Sequence, residues 1–190
     1  MIMACNAASS KKSTYVTVPQ SRAIAVGDSY SDPIRVAAMM VNDKSWDEVI
    51  IVGDRQGPLY DRFRTIKTPS ELLKIDSFDH KKRTLIVFDE CSKTERDQDI
   101  TQNFFIRSRL RGVSTLFVEC DLHFVPKWVR MNTDVFYFTT RPKNWNKFQQ
   151  FNCFRVPLAD CFAGARPNSW FKIDMRNDET KVIDATKYYP

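Results

Sequence analysis

Apolar residues in this chain come in short unbroken runs. The clearest is Thr84-Leu85-Ile86-Val87-Phe88, which follows the basic cluster Lys81-Lys82-Arg83 and ends on two adjacent carboxylates, Asp89 and Glu90. So short a run, with no polar alternation, predicts a strand buried on both faces, as in a parallel sheet. Strands are also expected over 21–27, 46–53, 113–119 and 133–138, each with an apolar stretch beside a few polar residues. Between them the spacing becomes helical. Residues 33–41 predict a helix with Pro33 in its first turn and Asp32 as N-cap. A short helix is expected over 70–75 after Pro69. An amphipathic helix is expected over 97–110, carried by Ile100, Phe104, Phe105 and Leu110, and a turn with a short helix over 124–130.

Strands alternating with helices from 21 to 138 predict an α/β fold: a mainly parallel central sheet with helices on both faces. Beyond 140 the pattern weakens to a mixed helix over 141–151. A late hairpin, 170–174 with 181–184 turned at Asn177-Asp178, adds an antiparallel edge. Residues 1–20, with Ser9-Ser10-Lys11-Lys12-Ser13-Thr14 and Pro19, are expected to form a flexible basic arm. The remainder, 21–190, reads as a single domain with its core in 21–140 and a C-terminal extension over 141–190.

Composition narrows the function classes. At 190 residues the chain is long enough for one domain with a substantial core. A formal net charge of +6 favours a polyanionic partner. The five cysteines include no C-x-x-C pair, and the two histidines, His80 and His123, are far apart. That pattern points away from a zinc site or a disulfide framework and toward a reducing compartment. No apolar run reaches the ~18 residues of a membrane span, and residues 1–14 lack the apolar region of a secretory signal. The expectation is a soluble intracellular protein with no membrane partner.

In open α/β sheets ligands bind at the carboxyl ends of the strands, which is where Asp89 and Glu90 fall. A strand ending in Asp-Glu is the Walker B element of P-loop NTPases, in which the Asp holds the Mg²⁺ shell and a following Glu polarises the attacking water. The segment 21–41, strand then loop then helix, has the layout of a phosphate loop. A working loop reads G-x-x-x-x-G-K-[ST], with backbone N–H groups around the phosphates, a Lys on the β/γ charge and a hydroxyl on Mg²⁺. Here the eight residues are Gly27-Asp28-Ser29-Tyr30-Ser31-Asp32-Pro33-Ile34. Only the first Gly matches. Pro33 stands at the Lys, supplying neither cation nor N–H, and Arg35 offers a cation from another place.

The order of these parts resembles the genome-packaging ATPases of large DNA viruses, the poxvirus-type branch of the FtsK/HerA superfamily of P-loop NTPases. Four segments carry the resemblance: 23–27 with its following helix, 46–52 with Tyr60 after it, 85–90, and the long stretch 107–132 with its Val125-Pro126 turn and Arg130-Met131-Asn132. It covers roughly 21–140. The resemblance implies a P-loop NTPase-type sheet and a nucleotide-binding loop at Gly27, Asp28, Ser29, Tyr30, Ser31 and Asp32. It also implies catalytic carboxylates at Asp89 and Glu90, with Mg²⁺ on Asp89 and ATP as ligand if the site works. The superfamily carries a γ-phosphate-sensing Gln at the tip of the strand 113–119, where this chain has Cys120 between Glu119 and Asp121. With two nucleotide-contacting stations altered, the expectation is a fold inherited from a packaging ATPase, with hydrolysis lost.

Arg107, Arg109 and Arg111 at a helix end, Arg130, and Arg141, Lys143 and Lys147 interleaved with Trp145 and Phe148 suit phosphate contact with base stacking. They are the candidates for nucleic acid, DNA favoured, or for contact between subunits of a homo-oligomeric ring or with a capsid or packaging partner. Two other readings stay open: an active Mg-ATP-dependent ATPase with an unconventional loop, and a metal-dependent nuclease using Asp28, Asp32, Asp89, Glu90 and Asp121. Cys120 as a nucleophile is disfavoured by its acidic neighbours, which raise a thiol pKa.

Overall fold

The computed structural model describes residues 20–27, 31–41, 46–54, 60–91, 94–138, 169–177 and 179–184, with backbone only for 31–35, 169 and 184. The loop positions 28–30, the segment with Lys143, Trp145 and Lys147, the mixed helix expected over 141–151, and the arm 1–19 lie outside the described residues.

Each unbroken apolar run forms a strand. These are β1 (Arg22–Val26), β2 (Glu48–Val52), β4 (Thr84–Asp89), β5 (Val113–Glu119) and β6 (Val135–Phe138); the short β3 (Arg64–Ile66) intervenes. The C-terminal hairpin is β7 (Ser169–Asp174) and β8 (Glu179–Asp184). All eight join one sheet in the order β3-β2-β4-β5-β1-β6-β7-β8. Pairings from β3 to β6 are parallel, and only β6–β7 and β7–β8 are antiparallel. The mainly parallel sheet with an antiparallel C-terminal edge is therefore as expected.

The period of two along each strand sorts side chains onto two apolar layers. Ala23, Ala25, Leu85, Val87, Leu116, Val118 and Val135 meet helix α1 (Ser31–Val41) through Val36, Ala37, Met40 and Val41. Ile24, Val26, Ile86, Phe88, Phe117 and Phe136 face Phe104 and Phe105 of α2 (Glu95–Arg107) and Val129 of α3 (Lys127–Met131). Burial on both faces explains why these strands read as continuous hydrophobic runs. α2 is capped by Thr94, whose hydroxyl accepts from the Asp97 N–H at 3.1 Å.

Three boundaries differ from expectation. α1 starts at Ser31, so Asp32 lies within its first turn and does not cap it; Pro33 is tolerated there because first-turn N–H groups have no intrahelical acceptor. The helix expected over 70–75 is two 3-10 turns, Pro69–Glu71 and Ile75–Ser77, which send Ile75 and Phe78 into the core. β3 has little apolar pattern to betray it: it is a three-residue edge strand, largely exposed. The amphipathic segment 97–110 forms α2 as far as Arg107 and then tightens into a 3-10 turn at Ser108–Arg111 that stops at Gly112, and Leu110, expected on the apolar face, is exposed instead. Gly112 has φ 69°, and a Cβ there would lie 2.8 Å from the His80 carbonyl, so the turn requires glycine.

Candidate functional site

The parallel register aligns the carboxyl ends of four strands. Val52 pairs with Phe88, Asp89 with Val118, and Val26 with Glu119. One edge of the sheet thus presents Gly27, Gly53, Asp89-Glu90 and Glu119-Cys120 side by side. β5 lies between β1 and β4, so the ends of β1 and β4, at Val26 and Asp89, are two strand spacings apart, about 10 Å. The end of β5 sits in the gap.

Asp89 continues the parity of Leu85 and Val87 onto the α1 face and is almost fully buried. Its Oδ2 accepts a hydrogen bond from the hydroxyl of Tyr60, itself buried in the same layer. Gly53 makes this approach possible: a Cβ at that position would stand 2.9 Å from the Asp89 carbonyl oxygen and 3.3 Å from its Cβ. The next residue, Glu90, has φ 48°, and it is the one non-glycine among the described residues with positive φ. That left-handed conformation costs roughly 1–2 kcal/mol for a residue with a Cβ. It ends the strand abruptly and holds the side chain at the edge, where Glu90, Glu119 and Cys120 bring one ligand atom each to within 4.8 Å of one another.

Glu119 is buried, and its Oε1 accepts from the Cys120 N–H at 2.9 Å and from the Cys120 thiol at 3.4 Å. Burial pushes its pKa up, and the negative charges of Glu90 and Asp89 push it further. The residue at the tip of β5 thus donates to a carboxylate within its own turn. Asp121 follows a different course: its Oδ1 accepts from the His123 N–H at 2.8 Å and shapes the turn into α3. Asp32 is placed by its backbone alone. Of the five carboxylates proposed to converge, the described side chains bring together Asp89 and Glu90, and Glu119 joins them.

The basic residues lie elsewhere. Arg107, Arg109 and Arg111 precede β5 and so sit at the amino end of the sheet, opposite Asp89. Arg107 and Arg111 both reach Asp76, at 2.7 and 2.8 Å, and they lower its pKa, the Arg107 hydrogen bond foremost. Arg109 pairs with Asp134, which Arg22 also grips through its Nη2 at 3.0 Å. Arg130, grouped with these by sequence, directs its Nη1 to the carbonyls of Leu122 and Val125, at 3.0 and 2.9 Å, and locks the turn before α3.

Sequence reasoning does not assign Tyr60, Gly53 or Glu119 to a site. Tyr60 is separated from Asp89 by 29 positions, and only the pairing of β2 with β4 brings them together. The signal available is limited to a glycine and a tyrosine following an apolar strand.

The chain shares its fold with a solved viral genome-packaging NTPase. The chain superposes on the genome-packaging NTPase B204 of Sulfolobus turreted icosahedral virus 2 in its AMPPCP complex with a TM-score of 0.64 and 13% identity, covering 86% of this chain and 97% of that one. The sulfate complex of the same protein gives 0.65 at 13% identity, with coverage of 86% and 96%. B204, the DNA-packaging ATPase from Sulfolobus turreted icosahedral virus, gives 0.64 at 11% identity, with coverage of 86% and 97%. No protein-family model and no curated protein sequence matches the chain.

Proposed function

We propose that this chain is a packaging-NTPase-like viral protein that has lost efficient hydrolysis and acts by binding nucleic acid, DNA favoured, or a packaging partner. The observation that carries the reading is the charge at the strand ends. Asp89, Glu90 and Glu119 gather there, and the described residues ending β1, β2, β4 and β5 (Gly27, Gly53-Asp54, Asp89-Glu90-Cys91, Glu119-Cys120-Asp121) include no Lys or Arg. Hard carboxylate oxygens suit a divalent cation, with Asp89 and Glu90 as its holders. They do not suit a triphosphate whose Lys position is Pro33. At 4 Å and an effective dielectric of 20, each uncompensated like-charge contact costs about 4 kcal/mol.

A second reading, an active NTPase with an unconventional loop, has support of its own. B204 has been solved with AMPPCP and with ATP-γ-S, and backbone strain of the kind at Glu90 concentrates at functional sites. Calorimetry with Mg-ATP and a non-hydrolysable analogue, combined with a phosphate-release assay, separates the two. The proposal expects no saturable heat at millimolar nucleotide and no change in background release on Glu90→Gln. Binding at micromolar nucleotide with release abolished by Glu90→Gln would establish the active enzyme. For nucleic acid, replacing Arg107 and Arg111 with Ala should lower the slope of log affinity against log salt by about 1 for each phosphate no longer neutralised. An unchanged slope would remove this patch from the interface.

A further inference from the structure

The amino end of the sheet carries most of the chain's positive surplus. Segments 74–83 and 107–111 hold seven Lys or Arg against two Asp, a surplus of five in a chain whose whole net charge is +6. Gly112 brings the two segments together. The His80 and Lys82 carbonyl oxygens stand 2.8 and 3.0 Å from the position a Cβ would take on it, and its own carbonyl accepts from the Thr84 N–H at 3.4 Å. Asp79 shapes the turn between them: its carbonyl accepts from the Lys82 N–H at 3.0 Å and its Oδ1 from the Lys81 N–H at 3.0 Å. Lys81 and Lys82 are left exposed on that turn.

Asp76 sits among these cations as a shared acceptor. Its Oδ1 accepts from Arg107 Nη2 at 2.7 Å and from Arg111 Nη2 at 2.8 Å, and its Oδ2 from Arg107 Nη2 at 2.9 Å. Two guanidiniums thus close on one oxyanion, an arrangement that serves phosphate as well as carboxylate. The carboxylate is 47% exposed, Arg107 45% and Arg111 38%. Exposed pairs of this kind contribute little to stability, so a competing anion displaces the carboxylate at little cost. Nε and Nη1 of both arginines have no acceptor among the described residues and remain for further oxygens. Asp134 differs: it is buried, and it fixes Arg22 and Arg109 within the fold.

We infer that this face holds the phosphate backbone of a duplex nucleic acid, and that Asp76 fills the phosphate position between Arg107 and Arg111 until the duplex arrives. The inference rests on the nucleic-acid reading above and gives it a site and an internal competitor. A duplex fits better than a single strand, because the two segments expose no Phe, Tyr or Trp on which bases could stack; Phe78 is buried. Contacts of this type neutralise phosphates without reading base edges, so binding is indifferent to sequence and steep in salt.

The probe is a short fluorescein-labelled DNA duplex, titrated with the full chain by anisotropy at several salt concentrations. Asp76→Asn should tighten binding about threefold or more, because the arginine clamp no longer has to be vacated first. It should also steepen the slope of log affinity against log salt by about 1 for each arginine freed to meet a phosphate. Asp79→Asn removes the same charge from the same segment but releases no arginine; it should change affinity by less than about twofold in moderate salt. Lys82→Ala should weaken binding and lower the slope by about 1. Thermal melts establish that these exposed-site variants remain folded. Equal effects of Asp76→Asn and Asp79→Asn overturn the inference. A duplex bound with no response to Asp76→Asn or Lys82→Ala places nucleic acid elsewhere on the chain, which overturns this site and leaves the broader reading standing. Failure to bind duplex and single strands alike sinks both. Tighter binding of a single strand, of polyglutamate or of phosphatidylserine vesicles, with the same dependence on Asp76 and Lys82, gives the face to that partner and overturns the assignment to a duplex.

Discussion

Tyr60→Phe is the most direct probe of the acidic edge. The substitution keeps the ring that packs against the α1 layer and removes only the hydroxyl that donates to Asp89. Both residues are buried, Asp89 at 2% exposure and Tyr60 at 7%, so water cannot readily replace the lost donor. A hydrogen bond to a charged group under these conditions is worth about 1.5–3 kcal/mol. For a chain of this size, about 2–4 °C of melting temperature accompanies each kcal/mol, so a loss of about 3–12 °C is expected at neutral pH. The same hydroxyl occupies Oδ2 of Asp89, one of the two oxygens that could ligate a cation. Tyr60→Phe should therefore be stabilised by millimolar Mg²⁺ more than the parent chain is; saturation to ten times the dissociation constant corresponds to about 1.4 kcal/mol. Differential scanning calorimetry with and without Mg²⁺ reads both effects. Asp89→Asn and the double variant close a thermodynamic cycle whose coupling should exceed about 1 kcal/mol. A variant within about 0.5 kcal/mol of the parent, with an identical Mg²⁺ response, would refute the idea that Tyr60 holds Asp89.

Two further perturbations test the electrostatic account. Glu119 has a native pKa raised above its ordinary 4.5 by burial, reinforced by Glu90 and Asp89; from about pH 4.5 up to the raised value the native state binds the extra proton, so stability falls as pH rises through that window. Glu119→Gln should be more stable than the parent at neutral pH, with the difference closing below pH 4.5, and a gap that widens in acid would contradict this assignment. Asp134 is buried and accepts from the Arg22 backbone N–H, the Arg22 guanidinium and Arg109. Asp134→Ala leaves the largely buried Arg22 without its counter-ion and should cost about 3–5 kcal/mol in denaturant unfolding; a loss under 1 kcal/mol would mean that water reaches this network.

The strands are legible because a strand buried on both faces needs an apolar residue at every position. That requirement is written locally at 85–88 and 116–118. The edge strand Arg64–Ile66 carries no such requirement, since its side chains are largely exposed, and the apolar pattern gives no sign of it. The 3-10 turns around Ile75 imitate one helix in the sequence, because helical spacing and two short turns place Leu72 and Ile75 alike. The acidic strand end at Asp89-Glu90 is visible as a motif. The partners that give it character are not.

By itself the sequence determined the alternation of buried strands and amphipathic helices, and the parallel sheet that follows from it. These are local in origin: burial on two faces, helical period and residue chemistry all act within a few positions. Only the tertiary structure decided that Tyr60 meets Asp89, that Gly53 makes room for it, and that Glu119 joins Glu90. It alone placed Arg107, Arg109 and Arg111 at the sheet edge opposite the carboxylates and divided them between Asp76 and Asp134. The physical reason is strand order. With β5 between β1 and β4, residues tens of positions apart become neighbours through parallel register, which no spacing along the chain encodes.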